Sequence, residues 1–305
     1  MKLKNLLWLL FLACLWGPSF LFIKVAVGEI PPLTLVTGRV GLAALILYTI
    51  LRLQGRNLPG WGSIWKHFAV VGFFSNALPF VLFSWGEQYI GSALASILNG
   101  TTPLFTALLA HLLISDDRLN ATKLVGIAAG FGGLVLLIAP SLFEGVQASS
   151  SGLLVITVAA ACYGVAMVYT RKNLRGLPPL VGPTAQLTMA TIYLLPLSLW
   201  FEQPFFRPLP SWPALGSLLS LSMLGTALAF IIYYRLLETT SATFVSMVTY
   251  LAPVIGVILG VAILHEHLGW NTYAGFVFIL LGVMVVNGAF KILNWRRLAG
   301  VGVRP

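Results

Sequence analysis

From Leu6 to Phe290 the chain is a succession of apolar stretches, most about 20 residues long, separated by short loops. No other feature limits the fold as strongly. A hydrocarbon layer about 30 Å thick takes roughly 20 apolar residues to cross as a helix, and only helices satisfy every backbone N–H and C=O without water or a partner strand. The stretches fall near 6–27, 33–53, 67–86, 91–114, 121–139, 152–170, 181–200, 212–236, 241–264 and 270–290. Only 9% of residues are charged and 58% are hydrophobic, against about 25% charged in soluble domains. An all-α integral membrane protein with ten transmembrane helices is expected, with the lipid bilayer as its solvent.

The net charge of +10 invites a nucleic-acid reading. That reading fails because the basic residues stand at helix ends and form no continuous face. Placing the N-terminus in the cytoplasm puts every Lys and Arg on that side except Lys24, Arg39 and Arg207. Glu29, Glu87, Glu144, Glu202 and Glu266 fall on the opposite side. Both termini are therefore expected to be cytoplasmic, with residues 293–305 as a basic cytoplasmic tail. The first apolar segment continues to Val27, too far for a signal-peptide core, so no processing is expected. Cys14 and Cys162 lie in apolar stretches without Cys or His neighbours and read as buried, reduced thiols. His265-Glu266-His267 lacks the spacing that sets two imidazoles on one helix face, so no metal and no cofactor is expected.

The chain also repeats itself. At a spacing of 147 residues, Trp16-Gly17 falls on Tyr163-Gly164, Lys24 on Arg171, and Pro31-Pro32-Leu33 on Pro178-Pro179-Leu180. At 150, Ala77-Leu78 falls on Ala227-Leu228, Phe80 on Phe230, Ser96 on Ser246 and Pro103 on Pro253. At 149, Asp117 falls on Glu266, Gly126 on Gly275 and Gly133 on Gly282. Two halves, 1–147 and 148–292, would each hold five helices. An odd number sends the second copy into the membrane from the opposite face. Inverted repeats of this kind characterise secondary transporters, whose solute site lies near the midplane between the halves.

The run Leu15-Trp16-Gly17-Pro18-Ser19-Phe20, with Lys24, Pro31-Pro32 and Arg39, resembles the first two helices of EamA-type members of the drug/metabolite transporter superfamily. So do Gly91-Ser92-Ala93 through Pro103, Asp117 and Gly126. In the second half, Leu237-Glu238-Thr239-Thr240-Ser241-Ala242, Pro253, Glu266-His267-Leu268 and Gly275 match more closely still. Asp116-Asp117 stands where the family usually has Gly-Glu. The resemblance covers nearly the whole chain. It implies two EamA domains, residence in the bacterial inner membrane, and export of amino acids or other small metabolites, with aromatic amino acids included. The sugar-phosphate and nucleotide carriers of the superfamily are the alternative. A lipid-modifying enzyme is a distant third, because no nucleophile, acid–base pair or metal set is visible. A monomer is expected.

Several residues are candidates to line the solute path. Arg39 lies about 12 Å into the second helix at 1.5 Å per residue. A cation there costs about 2.5 kcal/mol or more and must face protein or a wet cavity; it is suited to a carboxylate. The repeat sets Gln186 opposite it. Pro79, Pro103 and Pro253 remove helical hydrogen bonds in mid-membrane, beside Asn76, Asn99 and Tyr250, and are expected to break their helices at the cavity. Trp16, Phe20, Phe80, Tyr163 and Phe230 are the aromatic candidates, with Trp16 and Tyr163 expected to face each other across the pseudo-axis. Every acid lies near a helix end, so facilitated diffusion or exchange is expected rather than proton antiport through a buried carboxylate.

Overall fold

The structure is a computed structural model that describes residues 3–114, 119–143, 148–174 and 176–288. Asp116, Asp117, Arg118, Glu144, Arg175 and the expected basic tail lie outside these residues. Among the described residues all regular structure is helical. Eight segments are long and apolar enough to cross a membrane: α1 (Leu3–Ala26), α2 (Pro32–Leu53), α3 (Ile64–Gly86), α4 (Ser92–Leu113), α5 (Ala121–Pro140), α6 (Ser149–Asn173), α7 (Val181–Phe206) and α8 (Trp212–Thr239). Two shorter apolar helices follow, α9 (Val248–Leu264) and α10 (Trp270–Val286). Each of these two has 17 residues, about 25 Å of helix, somewhat less than the hydrocarbon thickness.

The helices pair in a way that survives exchange of the halves. α5 packs on α10, α2 on α7 and α4 on α9, each helix against its own repeat mate. The contact of α3 with α6 has its counterpart in α8 with α1, and that of α4 with α6 in α9 with α1. The α5–α10 crossing shows the exchange at atomic scale. A β-carbon on Gly126 would stand 2.8 Å from the Gly282 carbonyl oxygen, and one on Gly275 would stand 2.7 Å from that of Gly133. Sums of the paired numbers are constant, so the helices run antiparallel. Glycine is required because backbone meets backbone, leaving no side chain to turn aside. Close contact of small residues is the main source of helix attraction where lipid supplies no hydrophobic drive.

Several helices are interrupted. α1 breaks at Gly17-Pro18 and α4 at Gly100-Thr101. α3 widens into a π-helical turn at Phe73–Ala77, and α8 does so at Met223–Leu228, which is the same place in the repeat. Pro79, whose missing N–H removes a bond to the preceding turn, accounts for the first. The second has no proline; there the Thr226 hydroxyl donates to the Leu221 carbonyl five residues back at 2.8 Å.

Of the three expected proline breaks, those before Pro79 and Pro103 are present, at Phe73–Ala77 and Gly100-Thr101, and the one at Pro253 is not. Pro103 is the second residue of the segment Thr102–Leu113, so it begins a helix rather than kinking one. Pro253 stays within α9, and the chain breaks earlier, at Ser246-Met247, between the single turn Ala242–Val245 and α9. Thr249 and Tyr250 therefore lie in α9, with their N–H groups bonded to the Ser246 and Met247 carbonyls at 3.0 and 3.1 Å. Cys162 is buried, whereas Cys14 lies on the exposed side of α1.

Candidate functional site

Arg39 is 6% exposed, in the body of α2. Its Nε donates to the Thr226 hydroxyl of the α8 π-turn at 2.9 Å, and that hydroxyl in turn donates to Leu221. Its guanidinium carbon lies 3.8 Å from the centre of the Phe80 ring. Stacking on an aromatic face and one hydrogen bond offset part of the burial cost. Among the described residues neither Nη of Arg39 has a hydrogen-bond acceptor. The planar fork that recognises carboxylates in bidentate fashion is thus left open.

An aromatic wall continues from Phe80. Tyr163 of α6 meets Phe80 edge-on at 6.5 Å and stacks on Phe83 at 6.1 Å. Phe20 of α1 meets Phe83 edge-on at 5.6 Å. Four expected residues, Phe20, Arg39, Phe80 and Tyr163, are thereby gathered from α1, α2, α3 and α6. Phe83 and Thr226 complete the group and were not anticipated. Thr226 was findable: it is the position that the 150-residue repeat sets opposite Asn76.

The remaining candidates lie elsewhere. Trp16 packs against Tyr233 of α8 at 5.6 Å, in the core formed with α8 and α9, so Trp16 and Tyr163 belong to separate aromatic groups. Asn76 sits in the α3 π-turn, fully buried, with neither amide atom hydrogen-bonded. Asn99 ends the first segment of α4 and is half-buried. Phe230 packs on the α2–α3–α7 core. Tyr250 directs its hydroxyl to the Val283 carbonyl of α10 at 3.4 Å. Gln186 lines a cavity of about 90 Å³ with Thr170, Leu174, Leu177 and Tyr234.

The two ends of the bundle differ. Where α1, α7 and α9 finish, a glutamate from one half caps a helix of the other. Glu29 accepts from the Ser211 N–H and hydroxyl, both at 2.6 Å, at the start of α8. Glu202 accepts from the N–H groups of Leu33 and Thr34 at 2.9 and 2.6 Å, at the start of α2. Glu266 accepts from the Ser92 N–H at 2.7 Å, the Ser92 hydroxyl at 2.9 Å and the Ala93 N–H at 2.9 Å, at the start of α4. Helix N-termini carry unpaired donors and partial positive charge, so these are favourable partners. Lys24 adds a tie within the first half, donating to the Glu87 and Ile90 carbonyls at 2.5 and 2.8 Å. The Ser211 hydroxyl, and then its N–H, hold the Glu29 carboxyl below its ordinary value of 4.5. At the opposite end, links between the halves among the described residues include His67 Nδ1 with the Tyr169 hydroxyl at 2.9 Å and Arg235 over Trp8 at 5.0 Å. The small Gln186 cavity lies toward that end.

A buried, incompletely paired cation among aromatics, set between two exchangeable sets of apolar helices, fits a multi-pass membrane transporter. The comparisons with known proteins agree. The EamA-like transporter family matches twice, at residues 3–139 and 150–288, and the chain belongs to that family. It is 25% identical over 290 residues to uncharacterized transporter YoaV of Bacillus subtilis, covering 94% of this chain and 98% of that one. It is 26% identical to protein PecM of Dickeya dadantii, over 94% and 93% of the two chains. A solved crystal structure 19% identical in sequence shares the fold with a TM-score of 0.64, over 94% of this chain and 98% of that one. The chain is a transporter, not an enzyme.

Proposed function

We propose that this chain carries small zwitterionic or monocarboxylate metabolites, amino acids first among them, across the bacterial inner membrane by alternating access, with export as the working direction. Ten crossings in two inverted halves, 1–147 and 148–292, supply the two access states, with both termini and the tail 293–305 in the cytoplasm. The acid-capped end then faces outward and is sealed, while the basic end, with its cavity, faces the cytoplasm.

The observation that carries this reading is the open fork of Arg39. It is a desolvated cation whose one protein hydrogen bond leaves both Nη groups for a solute carboxylate. The phenylalanines and Tyr163 beside it suit an apolar or aromatic side chain. A sugar-phosphate would call for several intramembrane cations. Lys24 is already committed to main-chain carbonyls, which leaves Arg39 alone for a solute anion.

The test is counterflow in proteoliposomes loaded with single amino acids. Wild type shows uptake of labelled solute driven by unlabelled solute inside. Hydrogen bonds to a charged group contribute about 1.5–3 kcal/mol, so Arg39→Gln raises the half-saturation concentration about 10- to 150-fold. Arg39→Lys, which keeps the charge and loses the fork, recovers only part of it. Unchanged counterflow in Arg39→Gln overturns the role of Arg39, and a wild type without trans-stimulation overturns the carrier reading.

A further inference from the structure

Glu87 was set aside in the sequence because it ends a helix, yet it is wholly buried and neither carboxyl oxygen has a hydrogen-bond partner. It stands one residue past α3, at the acid-capped end. Three charged groups act on it, from α1, from α2 and from the loop after α9: Lys24, Arg39 and Glu266. None answers the carboxyl. Lys24 bonds the main-chain carbonyls of Glu87 itself and of Ile90. Arg39 bonds Thr226. Glu266 is an anion with both oxygens engaged by Ser92 and Ala93. On α6 the residues packed against neighbouring Gly86 are Gly152 and Ile156, which carry no charge.

A carboxylate in this place would bear a desolvation penalty of several kcal/mol with no hydrogen bond to offset it. A carboxylic acid would not, because the neutral form leaves no unpaired charge in the buried slot. When the end opens, water reaches Glu87, whose ordinary ionisation near pH 4.3 then applies. We propose that Glu87 is a proton-binding site tied to closure of the acid-capped end, protonated while that end is sealed and ionised, with its proton released to that side, when it opens. This rests on the alternating-access reading above and replaces the pH-indifferent mode expected from the sequence. The sealed state binds the proton more tightly than the open state. Acid therefore favours sealing, and opening becomes easier as pH rises through the ionisation of the sealed form.

The test is hydrogen–deuterium exchange of the full-length protein in lipid nanodiscs, read on the peptide spanning residues 87–96 and corrected for intrinsic exchange chemistry. Between about pH 5 and about pH 8 the wild-type opening rises about tenfold or more. Glu87→Gln, fixed in the neutral form, stays at the protected level at both values, and Glu87→Asp keeps the pH response. In parallel, difference infrared spectra of wild type show a protonated-carboxyl band that Glu87→Gln lacks, a readout that stands if a variant proves unstable. A wild type whose exchange ignores pH, or a Glu87→Gln protein that keeps the wild-type response, overturns the proposal. Neither readout involves solute movement. Failure here leaves the carrier reading intact, and absent counterflow sinks that reading whatever the exchange shows.

Discussion

Removal of the Glu266 carboxylate tests whether the trans caps hold the halves together. In Glu266→Ala the N–H groups of Ser92 and Ala93 lose their acceptor, and both residues are 0% exposed. A buried donor left unpaired costs about 1–3 kcal/mol, and loss of a negative charge at a helix N-terminus adds about 0.3–1 kcal/mol. Glu266 itself is only half-buried, so water replaces part of what is lost, and about 2–4 kcal/mol is the reasonable total. The slot is specific to this side chain: a β-carbon on Gly91 would stand 2.6 Å from Glu266 Oε2, and one on Gly260 would stand 3.0 Å from it. No neighbour is placed to substitute. At about 1.4 kcal/mol per decade, local opening of the α4 N-terminus should rise about 30- to 700-fold. Amide exchange across residues 91–96 reads this directly, since protection of those amides reports the opening equilibrium. Glu266→Gln, which retains one acceptor, should fall between. If Glu266→Ala leaves the protection of Ser92 and Ala93 at wild-type levels, the carboxylate is incidental and the account of a sealed end fails.

At the α5–α10 crossing, Gly282→Ala would place a β-carbon 2.5 Å from the Gly126 oxygen and 2.6 Å from the Gly130 nitrogen. The helices must separate, costing about 1–3 kcal/mol and lowering the thermal-unfolding midpoint in detergent. Gly132→Ala on the facing helix, α5, meets nothing within 4 Å and should raise that midpoint slightly. Thr226→Val removes the acceptor of Arg39 Nε while keeping the shape of the side chain; counterflow half-saturation should change by about tenfold or more while Gly132→Ala leaves it unaltered. For Glu29, whose carboxyl is held low by Ser211, the cap is complete above the ordinary carboxylate range and is lost as pH falls through the lowered value. Protection of the amides at 211–215 should therefore drop on acidification in wild type and be independent of pH in Glu29→Gln.

Much of this architecture could be read from residue order because the membrane demands long uninterrupted apolar helices and the repeat demands matched glycines. Gly126, Gly133, Gly275 and Gly282 announced a close crossing before any coordinates. Arg39, Phe20, Phe80 and Tyr163 were each legible as candidates, since a lone cation at that depth and aromatics at matched repeat positions stand out, but that Phe80 would lie against Arg39 was not. What escaped was set by contacts between distant segments. Proline chemistry suggested breaks in the turns before Pro103 and Pro253; the first is there, at Gly100-Thr101, but the second falls farther off, at Ser246-Met247, where the Thr249 hydroxyl bonds the Ser246 carbonyl. The π-turn at Met223–Leu228 has no proline to betray it. Glu87 does end its helix, as expected, but position along a helix says little about burial, and its side chain is wholly buried.

The backbone repeat and the side-chain repeat do not coincide, and that mismatch bears on how such a carrier works. Exchange of the halves turns the Arg39–Thr226 pair into Gln186 with Asn76, a neutral amide beside an unsatisfied one. Among the described residues it also turns the acid-capped end into one where His67–Tyr169 and Arg235–Trp8 link the halves. A perfectly symmetric carrier would populate its two access states equally. Here three carboxylate caps act on one end, and those of Glu202 and Glu266 are each worth on the order of 1 kcal/mol. The sum for those two, about 2 kcal/mol, would hold the empty protein sealed at that end in roughly 97% of molecules. A solute that only binds tightly cannot reverse such a bias; it must bind the other state better. Arg39 is well placed to make that difference, because a carboxylate on its open fork draws on the α2–α8 contact through Thr226, and α2 and α8 each begin at an acid-capped terminus. Filling the fork and loosening the caps would then be one event. In that case Thr226→Val should weaken the effect of solute on exchange at residues 211–215, even at concentrations that saturate Arg39, and an undiminished effect would separate the binding site from the seal.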